Sequence, residues 1–389
     1  MLWHRISITA VALPQALIHS LCLNYVNYDM GIAQTDFSEI TAICGGKDQS
    51  IALLKSGDVL GWGGAGSGRV SPPNQDICSN KSPNTGAVYI GQPSHFSNVS
   101  GGHGVSLGVS NKQPLIWGYC QIGIGGKDLF TEEPTAIKGV SNISKVAAGQ
   151  FIFAAIDQTG GLYTWGLNAD SALGRISFKS NAPPGLVKGI PPIKDIVLGD
   201  NFMLALTEDQ QAYGWGSNSA GQLGMGHLNT VNTPEPIKLS TKIDQIAVGS
   251  THALAVAHDC KVYGWGSNNF GQSGDSTHPF IDTPKPIGFP EKITSVAAGM
   301  HYSLALSSSG KVYAWGWNGF GQLGLGDLKS LTTPTAIPGL NGVRAIAAGE
   351  THSLAIGKTQ LFGWGSNATG QLGAAAAKQT TPNPFLAIA

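Results

Sequence analysis

Charge is scarce in this chain. Asp, Glu, Lys and Arg make up only 12% of its 389 residues, and the formal net charge is zero. Lys and Arg form no run, so the basic stripe that neutralises phosphates is missing and direct DNA or RNA binding is not expected. Cysteine is sparse too. Cys22, Cys44, Cys78, Cys120 and Cys260 are odd in number, far apart and without a C-x-x-C pair, which indicates neither a disulfide framework nor a zinc site and leaves free thiols as the expectation. No phosphate loop, H-E-x-x-H, G-x-S-x-G or paired-carboxylate motif occurs. No catalytic residue, metal site or cofactor is therefore expected, although an enzyme site assembled from distant turns has no linear motif to find.

A long apolar run is also lacking. Ile6 to Leu23 is mostly apolar behind His4 and Arg5, in the manner of a signal-peptide core, but Pro14, Gln15 and His19 interrupt it and no A-x-A site comes after it. It is too short and too interrupted for a membrane span. Residues 1–36 are expected to be an apolar leader, either packed on the remainder of the chain as a strand or short helix, or cleaved as a signal.

Glycine is what the chain has, 54 residues of it, together with a recurrent Trp-Gly pair. The pairs are Trp62-Gly63, Trp117-Gly118, Trp165-Gly166, Trp215-Gly216, Trp265-Gly266, Trp315-Gly316 and Trp364-Gly365, with steps of 55, 48, 50, 50, 50 and 49. A period in this range signals a solenoid, a propeller or an array. Within the fifth copy Pro236-Ile237-Lys238-Leu239 predicts a strand, followed by strands over 243–248, 253–256 and 261–265. Each run is short, rich in Val, Ile, Ala and aromatics, and bounded by Gly, Pro, Asn or Asp. Four such strands cannot bury two apolar faces alone, so units must stack face to face. The expectation is an all-β, seven-bladed β-propeller of four-stranded antiparallel blades over 37–389. The strand at Pro234, Pro284 or Pro334 is placed at the start of the following blade, and Phe385-Leu386-Ala387-Ile388 is expected to pair with the first blade, so that the C-terminal strand closes the ring. A polar insertion at 71–96, with no strand periodicity before Val88, separates the first two copies.

Ahead of each Trp stands a glycine, Gly46, Gly102, Gly149, Gly199, Gly249, Gly299 or Gly349, usually behind Ala-Ala or a close variant. Positive φ or a neighbouring backbone would explain it. His252 and His352 fall where other copies have Gln49, Val105, Ile152, Phe202 and Tyr302, the mark of a packing position. The seven Trp are likewise expected between blades.

The stretches Ala347-Ala348-Gly349-Glu350-Thr351-His352-Ser353-Leu354-Ala355-Ile356, Val312-Tyr313-Ala314-Trp315-Gly316 and Gly321-Gln322-Leu323-Gly324-Leu325-Gly326 resemble the repeat of the regulator of chromosome condensation family. The resemblance covers nearly all of 37–389, five copies more fully than the first two. It implies the same seven-bladed propeller and, as activity, guanine-nucleotide exchange on a Ran-like small GTPase. Other members are ubiquitin-ligase modules, a plant photoreceptor and bacterial proteins including secreted effectors; with only Trp3 and Trp317 outside the seven pairs, light sensing is not expected. The family places acidic and His side chains in the turns after the Ala-Ala-Gly glycines. Here those turns gather Lys47, Asp48, His103, Phe151, Asp200, Met300, His301 and Glu350 on one rim, the expected partner-binding residues. The family's chromatin-bound exchange factor carries a basic N-terminal tail and a wedge inserted in an early blade; here the leader is apolar and the insertion at 71–96 is in a different place, so chromatin binding is not expected. The expected partner is a small GTPase or another protein, met by a monomer, either in the cytoplasm or as a bacterial effector secreted into a host. The alternatives are a protein-binding scaffold or inhibitor without a GTPase role and, third, a propeller hydrolase or lyase.

Overall fold

The structure, a computed structural model, describes residues 37–64, 88–90, 95–120, 129–177, 181–373 and 378–384. Their strands form seven four-stranded antiparallel sheets, with helix confined to the short turns Phe37–Glu39 and Ala169–Ser171. The fifth blade serves as the type: Ile243–Val248 lies innermost, followed by His252–Ala257, Val262–Ser267 and, outermost, Phe280–Ile287. All six residues of His252–Ala257 are buried, because this strand is covered on both faces by neighbouring blades. The alternation of Ala253, Ala255 and Ala257 with Leu254 and Val256 suits that stacking, a small residue yielding space where a neighbour's larger one enters.

The seven-bladed, four-stranded expectation holds, but the phase of the blades differs. Each blade is four consecutive strands, so Val231–Pro236 is the outer strand of the fourth blade, paired with Ala212–Gly216, and not the first strand of the fifth. The outer edge is where proline belongs: Pro234 has no N–H to offer a further strand, and it sits beside a register shift opposite Trp215. In the first blade the outer strand is Val88–Tyr89, at the end of the polar insertion. Lys378–Pro384 likewise completes the seventh blade on Leu361–Ser366. The expected strand over Phe385-Leu386-Ala387-Ile388, and the leader 1–36, lie outside the described residues.

Among the described residues the seam between the seventh and first blades is closed by packing and cross-blade hydrogen bonds. Leu354, Ile356 and Leu361 share a core with Ile40, Ala52, Leu54 and Trp62. Ser50 Oγ donates to Gln371 O at 2.8 Å, Thr369 Oγ1 to Asp48 O at 2.9 Å, and Arg344 Nη2 to Ile40 O at 2.9 Å. Elsewhere the Trp residues tie blade to blade. Trp215, Trp265, Trp315 and Trp364 donate Nε1–H at 2.9 Å to the carbonyls of Ala172, Gln222, Gln272 and Gln322, in the turn of the preceding blade. That turn is Gly-Gln-Leu-Gly at 221–224 and 321–324, Gly-Gln-Ser-Gly at 271–274 and Ser-Ala-Leu-Gly at 171–174, so the two repeat signatures read in the sequence are two halves of one contact.

The glycine of each Ala-Ala-Gly is explained by crowding and not by its φ. None of the seven adopts a left-handed conformation. A methyl on Gly46 would lie 2.6 Å from Gly102 O, and one on Gly349 would lie 2.8 Å from Gly46 O. The neighbouring inner strand crowds these positions, and so does the side chain three residues on in the same blade, as His352 does at Gly349 and Phe202 at Gly199.

Candidate functional site

The crowded glycines set up a ring of backbone hydrogen bonds around the propeller axis. Lys47 N–H donates to Gly102 O (3.2 Å), His103 to Gly149 O (3.3 Å), Asp200 to Ser250 O (3.2 Å), Ser250 to Met300 O (3.3 Å), Met300 to Glu350 O (3.0 Å) and Glu350 to Gly46 O (3.0 Å). Each bond hands the first residue after the glycine to the next blade. The side chains at these first positions therefore surround the mouth of an axial cavity of about 500 Å³.

Of the eight predicted rim residues, Lys47, His103, Asp200, Met300 and Glu350 line this mouth, joined by Gln150 and Ser250 from the remaining blades. Asp48, Phe151 and His301, the second residues of their turns, do not line the cavity. Their carbonyls are used as anchors instead: Phe151 O accepts from Leu167 N–H at 2.8 Å and His301 O from Trp317 N–H at 2.9 Å, while Asp48 O takes the Thr369 hydroxyl. The eight residues share one face, yet they divide into an inner ring and a ring further from the axis.

The inner ring mixes signs in a half-buried setting. His103 Nε2 stands 3.6 Å from Glu350 Oε2, which makes no hydrogen bond. Burial raises the Glu350 carboxyl, an effect that Lys47 partly offsets and the charge of Asp200 reinforces. Asp200 is itself raised by burial, less a contribution from its hydrogen bond to Ser250. Burial thus disfavours ionisation of both carboxyls, the charge of Asp200 adds to the effect on Glu350, and both would gain from an incoming cation or N–H donor. Away from the mouth Lys145 Nζ and Asp195 Oδ1 pair at 2.6 Å, so that acid is already partnered.

Beside the mouth lies a surface that the sequence reading did not single out. His301, whose ring is lowered in pKa by burial, packs against Phe270 (centroids 5.6 Å apart) and Trp317 (6.3 Å), and Trp317 also meets Phe320 edge-on at 5.4 Å. Phe270 and Phe320 remain 37% and 40% exposed. They stand in the loops after Trp265-Gly266 and Trp315-Gly316, which the bonds from Ser267 N–H to Thr251 O and from Trp317 N–H to His301 O bring against the rim turns of their blades. A signal was present in the sequence: Trp317 occupies a place that holds Ser217, Ser267 or Ser366 in other copies.

His252 and His352 lie beneath this face, each ring packed against the rim glycine of its own turn, Gly249 or Gly349. Both are fully buried, and burial lowers them to about 3 and about 4. Among the described residues no group of three or more His, Cys, Asp or Glu is placed to hold a metal ion, and no helix is long and apolar enough to cross a membrane. Cys44 and Cys260 are free thiols.

The family model of the RCC1-like domain matches residues 115–388. The chain belongs to the RCC1-like family. Human WBSCR16 shares the architecture, with a TM-score of 0.76 at 22% identity over 85% of this chain and 94% of that one. Prp20p of Saccharomyces cerevisiae, whose structure was reported with its binding properties to Gsp1p and histones, gives a TM-score of 0.72 at 23% identity over 81% and 82%. The same yeast RCC1, bound to Kap60, gives 0.72 at 19% over 99% and 91%. At these identities the likeness is one of fold. A comparison with curated protein sequences gives no match. The matched region begins in the third strand of the second blade, and the first blade of this RCC1-like propeller, whose turn motif is worn, falls outside it.

Proposed function

We propose that this RCC1-like propeller binds a small GTPase through the mouth face, and that on a Ran-like GTPase it acts as a guanine-nucleotide exchange factor. The observation that carries this reading is the pair Asp200 and Glu350: two half-buried carboxyls at one mouth, both raised in pKa, one with an oxygen that makes no hydrogen bond. Exchange asks for no covalent chemistry. The propeller has to bind the nucleotide-free GTPase more tightly than the loaded one, and linkage then lowers the affinity for nucleotide by the same factor. A carboxylate with unused acceptor capacity suits that task, because it can take the phosphate-binding lysine that the departing nucleotide leaves unpaired. Membership in a family that includes relatives of Prp20p, a protein studied for its binding to Gsp1p, supports the choice of a Ran-like partner.

The test is stoichiometric release of a fluorescent guanine nucleotide from a panel of small GTPases. Acceleration with a Ran-like member is expected. No acceleration with any member, alongside retained binding to another protein, would replace exchange by the scaffold or inhibitor reading.

A further inference from the structure

In the fifth and seventh blades the residue after Trp-Gly is a serine, Ser267 or Ser366, whose hydroxyl accepts a hydrogen bond at 3.3 Å from the buried Gln272 or Gln371 Nε2. The sixth blade holds its glutamine in the same pose. Gln322 Oε1 accepts the Phe320 N–H at 2.9 Å, as Gln272 Oε1 accepts that of Phe270. With Trp317 where the serine would be, Gln322 Nε2 is buried and without a hydrogen-bond partner. Leaving a buried donor unmet is unfavourable, so the fold carries a local loss at the point where it presents an indole at the surface.

The indole is set on a platform. A methyl on Gly319 would meet Trp317 Cζ2 at 2.7 Å, so the ring lies flat over that glycine, between Phe320 and Phe270 (6.1 Å). The turn that supports it continues through His301 to Met300, whose N–H is bonded to Glu350 O at the mouth. A half-buried indole between two exposed phenyl rings, one turn away from a mouth that carries the carboxyls of Glu350 and Asp200, fits one kind of occupant: a flat cation on an apolar stem.

We propose that Trp317, Phe270 and Phe320 form the anchor site for an arginine-bearing loop of the protein partner, its guanidinium stacked on the indole and facing the carboxylates of the mouth. This rests on the GTPase reading for the partner's identity alone. Trp317 is then the main anchor, with Phe270 and Phe320 excluding water around it.

Trp317→Ser is the variant of choice. It installs the residue found at positions 217, 267 and 366 and returns an acceptor to Gln322, so the ring should stay folded with its unfolding midpoint near that of the unaltered chain. Its affinity for a nucleotide-free Ran-like GTPase should fall by about 30-fold or more. Equal affinity overturns the anchor. A second probe keeps the two readings apart: Nα-acetyl-arginine amide, titrated against the indole N–H resonances with the citrulline amide as its neutral counterpart. The arginine compound should perturb the Trp317 indole several-fold more than citrulline does, and the difference should shrink in Glu350→Gln. If no GTPase binds but arginine does so selectively, the GTPase reading fails and the anchor stands. Equal or absent perturbation by the two compounds overturns the anchor whatever the GTPase does. So does concentration-dependent self-association, or binding to anionic phosphatidylserine vesicles, that Trp317→Ser abolishes while GTPase affinity is unaltered.

Discussion

At the repeat position that holds Gln49, His252, Tyr302 and His352, a polar group meets the serine of the next blade. Gln49 Nε2 donates to Ser106 Oγ at 3.0 Å, His252 and His352 pair through Nε2 with Ser303 and Ser50 at 2.9 Å, and Ser353 Oγ donates to the Tyr302 hydroxyl at 3.1 Å. Where the position is Val105, Ile152 or Phe202, the neighbouring blade offers Phe153, Met203 or Ala253 instead. The packing role expected of the histidines is thus joined by a cross-blade bond. Because burial holds both histidines neutral, the unfolded chain takes up protons near pH 6.5 while the folded one resists until about 4 for His352 and about 3 for His252. Their contribution to stability is full above about pH 6.5 and is lost as pH falls through that window. Replacing both by Gln, which already makes this bond in the first blade, should flatten the fall of the unfolding midpoint between about pH 6.5 and 4; an unaltered slope would contradict the assignment. At the mouth the sign reverses. Glu350 and Asp200 have folded pKa values above their unfolded ones, so their contribution is present in acid and lost as pH rises through the folded value. Glu350→Gln and Asp200→Asn should therefore raise the midpoint at pH 7 relative to the unaltered chain, a gain that fades in acid, while lowering exchange by about tenfold each. A variant that loses stability without losing exchange would count against both the electrostatics and the site.

The inner three strands of a blade are legible in the sequence because each apolar run recurs at one place in every copy, as 243–248 does at 293–298. The outer strand escaped correct placement because Val231–Pro236 joins the fourth blade only after the chain folds back beyond Trp215, a pairing that a linear pattern does not record. Crowding and positive φ both select glycine, so sequence could not say which operates at Gly46 or Gly349. The repeat likewise located the rim turns, but not that the first residue of each faces the cavity while the second turns outward. The aromatic shelf was harder still: Phe270 and His301 are brought together only by the stacking of the fifth and sixth blades. The element-scale account of the Trp-Gly signature is open to a direct check. Trp265→Ala should cost about 3–5 kcal/mol by loss of packing between blades. Trp265→Phe, which keeps most of the ring but leaves Gln222 O without its donor, should cost about 1–3 kcal/mol in chemical denaturation. A Trp265→Phe variant as stable as the unaltered chain would mean that the indole N–H does nothing at the blade contact, and a cost equal to that of Trp265→Ala would mean that the ring itself contributes no packing.

Across the whole molecule, net charge zero and the absence of catalytic motifs gave little hint of polarity, yet the two ends of the axis differ. Among the exposed large apolar residues, Ile176, Leu228, Phe270, Phe280, Phe320 and Leu328 all come after a Trp-Gly pair, in the loops or at the first residue of the outer strand, on the side of the cavity mouth. Tyr89 and Leu186 are the exceptions among the described residues. Exposed apolar groups gathered around a charged mouth are the pattern of a protein contact surface. The hairpin turns at the other end of the axis hold instead solvent-facing pairs such as Lys261 with Asp259 at 2.7 Å and Lys311 with Glu291 at 3.3 Å. Amide hydrogen exchange on the propeller in complex with a nucleotide-free Ran-like GTPase would test the central claim most directly. Protection is predicted in the turns at 200, 250, 300 and 350 and in the loop 316–324. Protection confined to the hairpins at 258–261 and 308–311, or none at all, would contradict the account.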